Sequence, residues 1–131
     1  MFRRRGGRCC PERGPARKEL NKKARSVSEL EGGVTVAPVP VTLGEDITIK
    51  YQGPLARAGA REIYLHMGYG PADNWRYIAD LPLEKTNGSW EVTFEVKDES
   101  RLNFCFRDDA GRWDNNAGRN WSLEVHTGMQ V

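Results

Sequence analysis

No stretch of this chain approaches the roughly 20 consecutive apolar residues of a membrane-spanning helix, so none is expected. Cysteine is scarce: Cys9 and Cys10 are adjacent near the start, and Cys105 lies far away inside an apolar stretch. Cysteines so placed make no disulfide framework, and no Cys-x-x-Cys or Cys/His spacing points to zinc. Cys105 reads as a small buried apolar residue. The first residues are basic (Arg3, Arg4, Arg5, Arg8), but the apolar segment that follows such a cluster in a secretory signal is missing. The expected location is cytoplasmic, or extracellular if the N-terminus is misassigned. Helical periodicity is missing from 41 to 126, and there are no internal repeats.

Net charge is also small, at +2 over 131 residues, but it is small by cancellation. Residues 1–30 hold 10 Lys and Arg against 3 Asp and Glu, or +7; the remainder holds 10 against 15, or −5. The first thirty residues offer only Met1, Phe2, Leu20, Val27 and Leu30 as large apolar groups. Burial of so few groups does not offset chain entropy, so 1–32 is expected to be a basic, disordered tail. A short helix over 17–30 is conceivable there, although it has no apolar stripe. The foldable part, 33–128, is mildly acidic and carries all four Trp and all four Tyr. It is too small for a large enzyme, and its charge argues against nucleic-acid binding by the folded part.

Alternation of period two dominates that part. Ile47, Ile49 and Tyr51 define one apolar face; Ile63, Leu65 and Met67 a second; Trp90, Val92, Phe94 and Val96 a third. Leu102, Phe104 and Phe106 follow, then Trp121, Leu123 and Val125. Turn residues separate these runs: Gln52-Gly53-Pro54, Asn87-Gly88, Asp98-Glu99-Ser100 and Ala110-Gly111. Pro38 and Pro40 restrict 34–41 to an edge strand or an extended lead-in. Short strands without helices predict an all-β fold, an antiparallel β-sandwich of immunoglobulin-like type.

The same alternation sorts the tryptophans. Trp90 and Trp121 share faces with aliphatic residues and belong to the core. Trp75 and Trp113 fit no strand face and lie in polar stretches, Gly70–Tyr77 and Asp108–Asn116. Each is either a lid folded back over one end of the sandwich or part of a binding site. His66 points away from the core beside Tyr64, just ahead of the loop carrying Trp75. Flat aromatics, an imidazole and neighbouring Asn and Asp groups suit a sugar, whose C–H face stacks on indole while its hydroxyl rim needs fixed donors and acceptors.

The run Ile63-Tyr64-Leu65-His66-Met67-Gly68-Tyr69-Gly70, then Trp75, Gly88-Ser89-Trp90, Leu102-Asn103-Phe104-Cys105-Phe106, Trp113-Asp114-Asn115-Asn116 and Asn120-Trp121 resembles the family 25 carbohydrate-binding modules. These are starch-binding domains related to families 26 and 53. The resemblance spans about 41–126, and its most specific stretch is Phe106 to Asn116. It implies a non-catalytic β-sandwich that binds α-1,4-glucan (starch, glycogen, malto-oligosaccharides) on an exposed platform of His66, Trp75 and Trp113. By the same resemblance, Asn115 and Asn116 hydrogen-bond the sugar or shape the loop, and Asp114 braces it. Family members usually accompany amylases or starch-metabolising enzymes, so a glucan-active enzyme acting in trans is an expected partner. The 1–32 tail has no counterpart in the family module.

Other readings carry less. Asp108, Asp109 and Asp114 form a carboxylate cluster, but a retaining glycosidase needs two carboxyls about 5–5.5 Å apart in a cleft this domain is too small to hold. The oxygen-rich 108–116 loop does not follow the EF-hand spacing, and Asx turns explain it better. No metal and no cofactor are expected. The basic tail offers a contact for nucleic acid, a membrane surface or an acidic partner. A regulatory protein–protein module within a glucan-metabolising complex is the alternative function.

Overall fold

The computed structural model describes residues 26–127. They fold into two facing antiparallel sheets. The first has the order β1 (Ser26–Leu30), β2 (Val34–Val39), β4 (Asp46–Tyr51), β8 (Ser89–Glu95), β7 (Glu84–Thr86). In the second, β9 (Leu102–Asp108) pairs with β5 (Ile63–Tyr69), and β5 with the edge strand β6 (Arg76–Pro82). The other side of β9 is shared by β10 (Trp113–Asp114) and β11 (Trp121–Leu123). A separate parallel pair joins β3 (Val41–Thr42) to β12 (Val125–His126). This is the antiparallel, immunoglobulin-like β-sandwich that the alternation predicts.

The inner faces meet through the residues that alternate in the sequence. Ile47, Ile49, Tyr51, Ile63, Leu65, Leu102, Phe104 and Phe106 are all essentially inaccessible. Tyr51 of the first sheet stacks on Phe106 of the second, with ring centroids 4.1 Å apart. Trp90 and Trp121 are buried, and Trp121 stacks on Phe104 at 5.9 Å. Asn87 and Gly88 both have positive φ, the requirement of a two-residue hairpin between twisted strands, and they join β7 to β8.

Four local features differ from the sequence expectation. Ser26–Leu30 is neither tail nor helix but a strand, paired with β2. Two contacts tie the next turn to the sandwich: Trp121 Nε1 donates to Glu31 O at 2.9 Å, and Arg119 pairs with Glu31 at 3.0 Å. The folded unit thus includes residues from 26 onward; the rest of the expected tail, 1–25, lies outside the described residues. In consequence β2 is not an edge strand. It tolerates Pro38 because pairing with β4 ends at Ala37, and the register with β1 shifts beyond Val36. A single helical turn, α1 (Pro54–Arg57), follows the Gln52-Gly53-Pro54 turn, with proline at its first position. Last, the expected strand over 121–126 changes partner at Glu124, from β9 to β3.

Candidate functional site

Strand β5 sends Leu65 and Met67 inward and Tyr64 and His66 outward. Beside His66, the outer surface at Gly68 is bare backbone, and Trp75 lies on it. A Cβ built on Gly68 would stand 2.9 Å from Trp75 Cβ, so only glycine admits the indole here. The loop before Trp75 is closed by Asn74 N to Pro71 O at 3.0 Å and by the indole's own N–H, donated to Ala72 O at 2.8 Å. Its first residue is held from below. The buried Asn103 side chain donates to Gly70 O at 2.9 Å and accepts from Ser122 Oγ at 2.8 Å.

Trp113 reaches the same surface from the opposite side, at the start of β10. The turn that delivers it is organised around Asp108, whose side chain is inaccessible. Its carboxylate accepts from Ala110 N, Arg112 N and Arg112 Nε, at 3.0, 2.8 and 2.7 Å. Burial raises the Asp108 carboxyl, but the Arg112 backbone N–H, the Arg112 guanidinium and the Ala110 N–H outweigh it and hold it below the ordinary Asp range. On the other side of Trp113, Asp114 accepts the Tyr51 hydroxyl at 2.6 Å. Burial, reinforced by that carboxylate, pushes the Tyr51 phenol well above its usual value, so it stays a donor. Tyr51 therefore links the core to the Trp113 loop, while its oxygen accepts Leu55 N at 3.1 Å.

These constraints bring three of the five sequence-derived site residues together. His66 lies between the two tryptophans, 5.8 Å from the Trp75 ring at a 33° tilt and 5.2 Å from the Trp113 ring edge-on. Trp113 is 52% exposed, which leaves a ring face open to solvent. His66 Nδ1 donates to Asp80 Oδ1 at 2.7 Å. A carboxylate only accepts, so Nδ1 carries the proton and Nε2 is the ring nitrogen left for a ligand. Arg107 holds the other Asp80 oxygen at 3.8 Å and lies over the Tyr64 ring at 4.4 Å.

The two asparagines have different positions. Asn116, with φ of 58°, is tied into the loop: its side chain donates to Asn120 O at 3.1 Å and its backbone N–H binds Asp114 Oδ1 at 3.3 Å. Asn115 is exposed; its side-chain oxygen accepts Gly118 N at 3.0 Å, and among the described residues its amide nitrogen donates to nothing. Asn116 is a loop former and Asn115 presents a free donor.

Asp80 apart, the acidic residues Asp108, Asp109 and Asp114 brace the loops. Asp109 accepts Arg61 N and Glu62 N, both at 3.2 Å, and these N–H groups, Glu62 foremost, lower its carboxyl against a smaller effect of burial. Among the described residues no group of three or more His, Cys, Asp or Glu is placed to hold a metal ion. Cys105 is buried on the platform side of β9 opposite His66, and burial pushes its thiol up to about 11. Sequence reasoning missed Asp80, Arg107 and Asn103. Of these, Asn103 alone had a signal, as a polar residue within the Leu102–Phe106 run.

The sandwich thus gathers the exposed Trp113 and the partly buried His66 and Trp75 on one surface. Residues 47–104 match the model of the starch/carbohydrate-binding module, family 53. The chain is 33% identical to the family 25 module of a Bacillus halodurans amylase over 64% of this chain and 87% of that one, with a TM-score of 0.45. It is 29% identical over 108 residues to an alpha-amylase of Clostridium acetobutylicum, spanning 75% of this chain but 14% of that enzyme. Over residues 47–104 the chain is thus similar to the starch/carbohydrate-binding modules. What it matches is a carbohydrate-binding domain, a non-catalytic class, and not a catalytic one.

Proposed function

We propose that this module binds α-1,4-glucan on the row formed by Trp75, His66 and Trp113. The observation that carries the reading is their contiguity: the imidazole sits within 6 Å of both indoles, by centroid distances of 5.8 and 5.2 Å. A helical glucan presents a curved succession of C–H faces, which two indoles set on either side of a central polar group can follow. His66 Nε2 accepts a sugar hydroxyl and the Asn115 amide donates to one, while Asn116 acts through the loop shape.

The magnitudes describe a weak site. Half of an indole's ~150–250 Å², at ~25 cal/mol/Å², gives about 2–3 kcal/mol per ring. Two rings, less the cost of association, leave a dissociation constant on the order of millimolar to micromolar. Retention on a polymer then comes from many repeated sites and from avidity. Such binding serves to hold a glucan-active enzyme against its polymer. Electrophoresis through gels containing amylopectin tests the reading: the parent is retarded in proportion to polymer content, and Trp113→Ala loses most of that retardation with unchanged circular dichroism.

A further inference from the structure

The β6 bulge turns Tyr77 towards solvent. Pairing with β5 passes from Met67↔Ala79 to Tyr69↔Arg76, so Tyr77 and Ile78 together oppose Gly68. Tyr77 has a φ of 57°, a left-handed conformation that a large side chain adopts only against a steric penalty, and the residue is 71% exposed. The ring does not face a blank surface. It borders a groove of about 510 Å³, within the range of small-molecule sites, whose lining includes Tyr69, Phe94, Glu95, Lys97 and Asp98. The groove exists because β7 is short. It pairs β8 only over Ser89–Glu91, so beyond Glu91 the sandwich is open between β8 and β6.

We propose that this groove is a second saccharide-binding site, taking a segment of the same α-glucan. Its chemistry is that of a sugar site: an exposed ring face, with two carboxylates and an ammonium at hand for hydroxyl groups. It adjoins the platform, since Tyr77 follows Trp75 by two residues and Trp75 occupies the opposite, outer face at Gly68. One polymer strand can pass over the β6 edge and meet both, or two neighbouring strands of a starch particle can each take one. The choice of ligand rests on the α-glucan reading of the platform; the groove and the strained tyrosine do not.

The test is a backbone and indole ¹⁵N NMR titration of the full chain with maltoheptaose and, separately, cellohexaose. Maltoheptaose is expected to move the Trp75 and Trp113 indole signals and, at higher concentration, the Ala79, Leu81 and Lys97 amides. Tyr77→Ala removes the second set and keeps the first, which also shows that the variant is folded. It also weakens retention on amylopectin about tenfold, the share of one partly covered ring. Indole shifts with silent groove amides overturn the second site and leave the platform standing. No shift anywhere overturns both, and equal groove shifts with cellohexaose overturn the α-glucan assignment.

Discussion

Replacing Gly68 with alanine perturbs the platform without altering any of its rings. The added methyl would sit 2.9 Å from Trp75 Cβ, 3.1 Å from Trp75 Cε3 and 3.2 Å from Arg76 O. None of these is the far end of a flexible side chain, so the indole and the start of β6 must move together. Overpacking of this kind costs about 1–3 kcal/mol. The larger effect is on binding, because a displaced Trp75 no longer lies beside His66. Loss of one ring's contribution, about 2–3 kcal/mol, weakens binding roughly 30- to 150-fold. Affinity electrophoresis over a range of amylopectin contents measures the loss, and thermal melting followed by circular dichroism reports the folding cost. Gly68→Ala retarded like the parent, while Trp75→Ala is not, would refute the claim that glycine is what seats the indole.

Three further outcomes follow from the same geometry. Tyr51→Phe leaves the Leu55 N–H without its acceptor and the Asp114 carboxylate without its donor. It should lower stability by ~1–3 kcal/mol in urea unfolding and weaken glucan binding with it, since the Trp113 loop loses its tie to the core. Asp80→Asn releases the requirement that His66 Nδ1 carry the proton; imidazole ¹⁵N shifts should change from a single Nδ1–H tautomer to a mixture, and affinity should fall several-fold with little change in melting. The third concerns acid. The Asp108, Asp109 and Asp98 carboxyls are all held below the ordinary range, so each contributes stability that is present above the unfolded value, near ~4, and lost as pH falls below it. The melting temperature should be flat from neutral pH down to about 5 and drop below 4. Asp108→Asn, melting lower at neutral pH, should show a shallower drop; an equally steep one would contradict the assignment.

The parts of this fold legible in the sequence are those fixed by alternation. Ile47, Ile49, Leu65, Phe104, Phe106, Trp90 and Trp121 occupy the core positions their spacing gives them, because an inward face cannot slip by one residue without exposing the whole set. Strand β1 was illegible for the opposite reason. Ser26–Leu30 is an edge strand, largely exposed, and its pairing comes from β2's backbone rather than from any apolar pattern. Strand β6 is masked by its bulge, which breaks the period at Tyr77 and Ile78.

The site shows the same division. His66 was legible as an outward residue on β5, and Trp75 and Trp113 as rings without a strand face, yet their juxtaposition rests on contacts remote in sequence. Gly68 below Trp75, Tyr51 reaching Asp114 across 63 positions, and Asp80 behind His66 are such contacts. None leaves a periodic trace. The loop carboxylates were read correctly as braces, since Asp108 and Asp114 each accept a backbone N–H two residues on.

The central claim is most directly tested by the Trp75→Ala/Trp113→Ala double variant, measured beside the parent in gels containing amylopectin and in pull-downs with granular starch and with cellulose. The account predicts a parent held by amylopectin and starch but not by cellulose, and a folded double variant held by neither glucan beyond the weak residue left by the Tyr77 groove. A double variant retarded like the parent, or a parent that prefers cellulose, would contradict it.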